Sequence, residues 1–155
     1  MKTLFRQGKW QFLSRVKPSA GMLGALCDEN YRLLMRLAPQ LLSMHGEYSS
    51  RIKGDPPLLL QVDHTGPFTR EVRLNYLFES QGNESPLLDP EMLLRLYLDT
   101  GQVEVIEIKR QQCLPLEGLY QSPGLHQKWK ANLFAGRWLD YCLSKNYRFS
   151  RVSPP

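Results

Sequence analysis

Four polar residues whose types could do chemistry lie close together in the second half of the chain: Arg95, Tyr97, Asp99 and Glu104. An arginine guanidinium can hold an anion, and a tyrosine hydroxyl can donate a further hydrogen bond. Two carboxylates beside them could act as acid and base. The four residues are therefore a candidate functional face, provided that the fold brings their side chains together.

The residues from Glu91 to Ile108 predict a strand, a turn and a second strand. Leucines alternate with polar residues from 94 to 99, the turn sequence Asp-Thr-Gly-Gln follows, and the alternation resumes at Val103. Pairing Leu98 with Val103 would place Glu104 on the face that carries Arg95, Tyr97 and Asp99, whereas a slip by one residue would bury Glu104. The alternative interpretation is a cross-strand ladder, in which Arg95 and Glu104 flank Tyr97 and stabilise the sheet.

The whole sequence predicts an α+β fold, with an N-terminal helix, a four-stranded antiparallel meander and a C-terminal helix packed on the sheet. Helical periodicity begins at Met22, and Pro39 is expected to end or kink this helix. Past Val105 the alternation breaks, which either a β-bulge near Val105-Ile106 or a sheet covered on both sides at that end would explain. The other predicted elements are strands over 58–64 and 71–78, a helix from Leu125 to Asn146, and loops over Gly46–Pro57, Ser80–Pro90 and Gln111–Gly124.

The length of 155 residues and the charge distribution predict three parts. Residues 1–21 form a basic N-terminal arm, loosely docked or flexible, 22–148 a single α+β domain, and 149–155 a C-terminal tail. Both ends are basic and the middle is net acidic, for a total of +5. The ends form one patch if they meet, or two solvated tails if they do not. The basic residues concerned are Lys2, Arg6, Lys9, Arg15, Lys17, Lys128, Lys130 and Arg137.

Several classes of protein are disfavoured by composition. No apolar run approaches a membrane span, and no apolar core of a secretory signal occurs near the start. The three cysteines show no CxxC spacing, which argues against a disulfide framework and a zinc site and favours a reducing compartment. We therefore expect a cytoplasmic protein with no metal and no cofactor, and the sequence contains no recognised catalytic motif.

Two asparagines stand out on the helices. Asn30 falls on the apolar side of the first helix, where a buried amide needs hydrogen-bond partners, and Asn132 on the last helix is a partner region. We interpret both as structural polar residues, with a ligand contact as the alternative. Cys27 and Cys142 lie on apolar helix faces and are predicted to be inert, while Cys113 lies in a loop as the more accessible thiol.

Three blocks of sequence, in order along the chain, resemble one family. They are Leu26-Cys27-Asp28-Glu29-Asn30-Tyr31 in the first helix, Arg95-Leu96-Tyr97 with Asp99 and Glu104-Val105 in the hairpin, and Trp138-Leu139 with Tyr141-Cys142-Leu143 in the last helix. The chain resembles the YqiB-like family of short bacterial proteins, a domain of unknown function. The resemblance spans about Met22 to Leu143 and implies no established activity. The family's last helix opens with two acids before a lysine, where this chain has His126-Gln127-Lys128.

The sequence leaves two functions open. The first is a non-catalytic protein-interaction or regulatory module that binds an unknown protein through its basic ends or an exposed face. Nucleic acid is a further partner class, although no recognition motif accompanies the basic ends. The second is a small enzyme or ligand-binding domain for an anionic, nucleotide-like metabolite, with the four polar residues at the rim of a pocket. Neither the partner nor the oligomeric state follows from the sequence.

Overall fold

The computed structural model describes residues 2–78, 86–110 and 124–152, and the α+β class is confirmed. The helices are α1 (Lys2–Arg15), α2 (Ala20–Leu37) and α3 (Leu125–Ser144), with a short 3₁₀ turn at Leu41–Ser43. The strands are β1 (Gly46–Ser50), β2 (Leu58–Gly66), β3 (Thr69–Phe78), β4 (Leu87–Tyr97), β5 (Gln102–Lys109) and β6 (Ser150–Arg151). They form one antiparallel sheet in the order β5-β4-β3-β2-β1-β6.

The prediction of four strands was wrong, because the described sheet has six. β1 lies in the predicted loop Gly46–Pro57 and β6 in the predicted tail. Both strands lack an alternating apolar pattern. β1 forms because β2 offers it an unpaired edge, and β6 then pairs with β1 through Tyr48 and Arg151. β4 also begins inside the predicted loop Ser80–Pro90, while most of the predicted loop Gln111–Gly124, with Cys113, lies outside the described residues.

The single predicted N-terminal helix was also wrong, because a second helix, α1, precedes it. The apolar spacing of α1 is irregular, and long-range contacts to α2 and α3 hold this helix in place. The Trp10 side chain is 5% exposed, and its indole N–H donates to Asp140 Oδ2 of α3 at 2.8 Å. A Cβ built on Gly136 would lie 2.4 Å from Cη2 of Trp10, so the indole occupies space that only glycine leaves open.

The core lies between one face of the sheet and the helices α2 and α3. Buried positions alternate along β2 to β5, and fully buried leucines come from both layers, among them Leu34, Leu74, Leu94, Leu96 and Leu139. Complete burial of such a leucine contributes about 2 kcal/mol. The Ser19 hydroxyl caps α2 by accepting from the Met22 N–H, and α2 ends before Pro39 as predicted. None of the described helices combines the length and the apolar character needed to cross a membrane.

The β4–β5 hairpin keeps the predicted faces with a different register. Leu96 pairs with Val103, where the sequence predicted Leu98, and Arg95 lies directly opposite Glu104. A shift of two residues leaves every side chain on its predicted face, because the side-chain period of a strand is two. The register shift between Leu93 and Leu94 leaves Ile106 as the extra residue of β5. The predicted bulge is therefore confirmed.

Candidate functional site

A cleft opens where the edge strand β5 meets the N-terminal ends of α2 and α3. It has a volume of about 400 Å³. We call it the hairpin cleft, and its lining includes Leu23, Cys27, Tyr97, Glu104, Lys128 and Asn132. Two members of the predicted functional face, one predicted basic residue and one predicted structural asparagine therefore meet here. Tyr97 and Glu104 come from one hairpin, whereas Lys128 and Asn132 come from α3.

The hydroxyl and carboxylate of the hairpin cleft come from the two strands of the hairpin. Tyr97 ends β4 and Glu104 lies on β5, and the Tyr97 hydroxyl donates to Glu104 Oε2 at 3.2 Å. Lys128 adds an ammonium group from the first turn of α3. The cleft thus combines an anion, a cation and a hydroxyl with apolar walls, a set that can hold a small polar ligand.

Asn132 ties the helices to the sheet edge beneath the hairpin cleft. Its Oδ1 accepts from the Val105 backbone N–H at 3.3 Å, and its Nδ2 donates to the Lys128 carbonyl at 2.8 Å. The Asn30 amide donates to the Asn132 carbonyl at 2.9 Å, so both asparagines belong to one buried network. β5 is the edge strand of the described sheet, and the bond to Val105 gives a backbone donor at that edge a side-chain partner.

The two described thiols lie in surroundings that disfavour the thiolate. Desolvation, assisted by the negative charge of Glu104, raises the pKa of Cys27 to about 11. Desolvation raises the pKa of Cys142 to about 12. A thiol is nucleophilic only as its thiolate, so neither cysteine is activated for catalysis at neutral pH.

Arg95 and Asp99 lie outside the lining of the hairpin cleft. Arg95 forms an ion pair with Glu71 on β3 at 2.9 Å, and hydrogen bonds from Arg95 to Glu71 and Tyr97 raise the pKa of the guanidinium. Asp99 lies in the turn, exposed, where Oδ1 accepts from the Thr100 N–H. The predicted pocket rim is therefore divided: Tyr97 and Glu104 line the cleft, Arg95 belongs to the sheet ladder and Asp99 to the turn.

The predicted basic residues lie on α1, on α3 and, for Lys17, in the segment after α1, and the two helices pack against each other. Lys9 forms an ion pair with Glu29 on α2. Lys130 and Arg137 line a small cleft beside Phe134, over whose ring Arg110 stacks at 4.2 Å. Arg15 and Lys17 are exposed, and the side chains of Lys2 and Arg6 lie outside the described part of the structure.

A second and larger cleft was not predicted from the sequence. It lies where α2 and α3 end against β1 and the segment before β6, with a volume of about 610 Å³. We call it the C-terminal cleft, and its lining includes Arg36, Gln40, Tyr48, Asn146, Arg148 and Phe149. No sequence motif connects these residues. The aromatic and basic types at 147–149 are the one signal that points to this region.

No group of three or more potential metal ligands (His, Cys, Asp or Glu) occurs among the described residues. The fold is that of a small α+β domain with two clefts that polar and apolar side chains line. Residues 33–148 match the model of a family described as a protein of unknown function (DUF1249), and the chain belongs to that family. Searches of the curated proteins and of the solved structures found no match.

Proposed function

We propose that this protein is a non-catalytic protein-interaction or regulatory module. One observation supports the proposal: the side chains that could take part in chemistry form contacts that stabilise the fold, or lie where they are not reactive. Asn132 is bonded to Val105 and Lys128, Arg95 to Glu71, and the described thiols have raised pKa values. Groups engaged in this way stabilise a fold and are poorly placed to take part in a reaction.

The surface that supports an interaction is the sheet face opposite the core, which we call the outer sheet face. Its residues are half-exposed or exposed, and they combine leucines with charges: Leu59, Glu71, Arg73, Leu93 and Arg95. The register keeps Leu93 opposite Arg73 and Arg95 opposite Glu71, so the charges are held in fixed positions. Such a surface offers apolar area with charged groups to fix the orientation of a partner.

Affinity purification from cells, with two matched charge reversals, tests the proposal. Arg73→Glu changes an exposed residue in the middle of the outer sheet face, and Lys53→Glu changes an exposed turn residue away from it. We expect Arg73→Glu to lose a partner that wild type and Lys53→Glu both retain. Equal partner sets for all three proteins would contradict the use of this face.

The hairpin cleft favours a second function, the binding of a small ligand. The observation behind it is that Glu104, Tyr97 and Lys128 line one cleft, in which the Tyr97 hydroxyl donates to Glu104. A thermal-shift screen of anionic and zwitterionic metabolites should find a stabilising compound whose effect is lost in Lys128→Gln. Arg95→Gln is the matched control, because Arg95 lies outside the cleft lining. Equal shifts in both variants would contradict this function.

Three narrower assignments belong to this proposal. The first is membership of the YqiB-like group, based on the motifs quoted above, and with it a bacterial source. The second is a cytoplasmic location, based on cysteine usage. The third is the division into an arm over 1–21, a domain over 22–148 and a tail over 149–155. Limited proteolysis followed by mass spectrometry tests this division, because cleavage should begin outside 22–148.

A further inference from the structure

The C-terminal cleft has walls from four parts of the fold. α2 and its C-terminal extension supply Arg36 and Gln40, β1 supplies Tyr48, and the segment after α3 supplies Arg148 and Phe149. Its volume of about 610 Å³ lies in the range of sites that enclose a small organic molecule. It is also on a different surface from the outer sheet face, so it is independent of the proposed interaction.

The charge of this cleft is unbalanced. Arg36 and Arg148 both line it, and none of the described residues in its lining is acidic. In the part of the chain that the structure describes, neither guanidinium forms an ion pair, whereas Arg95 pairs with Glu71 and Arg32 with Glu29. Two guanidiniums without carboxylate partners beside one cavity are a typical recognition set for phosphate or carboxylate groups.

The two tyrosines of the cleft are held in place by their hydroxyls. The Tyr48 hydroxyl accepts from the His45 N–H at 3.0 Å, and the Tyr147 hydroxyl donates to the Pro56 carbonyl at 2.8 Å. Phe149, half-buried, lies beside them. Rings that are already fixed lose little entropy when a flat ligand packs against them, so they form a prepared apolar surface.

We propose that the C-terminal cleft binds a small organic anion, in which a phosphate or carboxylate group is attached to an aromatic or apolar body. Arg36 and Arg148 bind the charged group, and the rings of Tyr48 and Phe149 contact the body. Both α2 and α3 end at this cleft, and helix C-termini carry partial negative charge. The attraction of this cleft for an anion therefore comes from the two guanidiniums and not from the helix ends.

Titration with phenyl phosphate, followed by backbone amide NMR, tests this site. Inorganic phosphate and phenol serve as probes of the anionic and the aromatic half alone. We expect phenyl phosphate to shift amides around Arg36, Tyr48 and Phe149, and to bind more tightly than either half. Arg36→Gln and Arg148→Gln should each weaken binding about tenfold, since each removes one charge-assisted contact. The double variant should show no saturable binding.

Arg73→Gln is the control, because it removes the charge of an exposed arginine on the outer sheet face. Binding that weakens equally in Arg73→Gln would show general attraction to positive charge and overturn the proposal. Amide shifts centred on the hairpin cleft, or no binding at millimolar concentration, would also overturn it. None of these results bears on the outer sheet face, whose test is the loss of a protein partner.

Discussion

The two clefts differ in how their polar groups are satisfied. In the hairpin cleft the protein supplies the partners: Tyr97 donates to Glu104, and Asn132 bonds to the sheet edge and to its own helix. In the C-terminal cleft, Arg36 and Arg148 have no carboxylate partner among the described residues. Polar groups that satisfy one another stabilise a fold, whereas unmatched charges around a cavity are available to a ligand. The comparison predicts that mutations in the first region change stability and mutations in the second change binding.

The largest expected effect is that of Asn132→Ala in the hairpin cleft. It leaves the Val105 N–H without a partner and removes the side-chain bond to the Lys128 carbonyl. Leaving a buried donor unsatisfied, with the loss of a second bond, should lower the free energy of unfolding by about 3 kcal/mol. Urea denaturation followed by circular dichroism measures the loss. If the free energy of unfolding falls by less than it does for an ordinary surface substitution, this network has no structural role.

Alkaline pH should destabilise the protein through Cys27. Its pKa is 9.0 in the unfolded chain and about 11 in the fold, so between these values only the unfolded thiol loses its proton. The contribution is fully present below pH 9, decreases as the pH rises and is lost above about pH 11. The full shift corresponds to about 2.7 kcal/mol, and the partial exposure of Cys27 lowers the expected total to about 2 kcal/mol. Urea midpoints across this range should fall less steeply in Cys27→Ala than in wild type. If the urea midpoints of the two proteins fall equally steeply with pH, the destabilisation does not come from Cys27.

Tyr97→Phe should have a smaller effect. It removes the hydrogen bond to Glu104 and leaves the ring in place, so the expected loss is about 1 kcal/mol. Tyr141→Phe is the matched control, since that side chain is 47% exposed and should tolerate the change. Both values come from denaturation midpoints. Equal stabilities of the two variants would show that the bond between Tyr97 and Glu104 contributes little.

The smallest effect on stability is expected for Arg36→Gln combined with Arg148→Gln. Both side chains are exposed, and neither has an ion-pair partner among the described residues, so the double variant should unfold within about 0.5 kcal/mol of wild type. The same variant is the one expected to lose phenyl phosphate binding. A large loss of stability would assign the arginines to the fold and remove the contrast between the clefts.

Local patterns in the sequence predicted the helices α2 and α3, the strands β2 to β5 and the bulge at Ile106, because period and turn chemistry are local properties. The hairpin register was off by two, because the four-residue turn lies at 98–101 and not at the predicted 99–102. Gly101, which takes a φ of +67°, is the last residue of this turn. The two halves of the C-terminal cleft lie at opposite ends of the chain. No local pattern could have placed Arg36 beside Arg148.

Contacts between distant segments account for most of the other differences. α1 is anchored through a hydrogen bond between Trp10 and Asp140, 130 residues apart, and β6 pairs with β1 although Tyr48 and Arg151 are also far apart in the sequence. These elements form because a partner surface exists in the folded domain, which a local reading of sequence does not show. Part of the hairpin cleft could be predicted from the sequence, because Tyr97 and Glu104 are neighbours within one hairpin.

The contact between Trp10 and Gly136 has a consequence for how this chain can vary. The indole and any side chain at position 136 would compete for the same volume, because a Cβ there would lie 2.4 Å from the ring. A larger residue at 136 therefore requires a smaller one at position 10, or an α1 that lies elsewhere. In relatives that keep α1 in this place, the two positions should change together, although they stand near opposite ends of the chain.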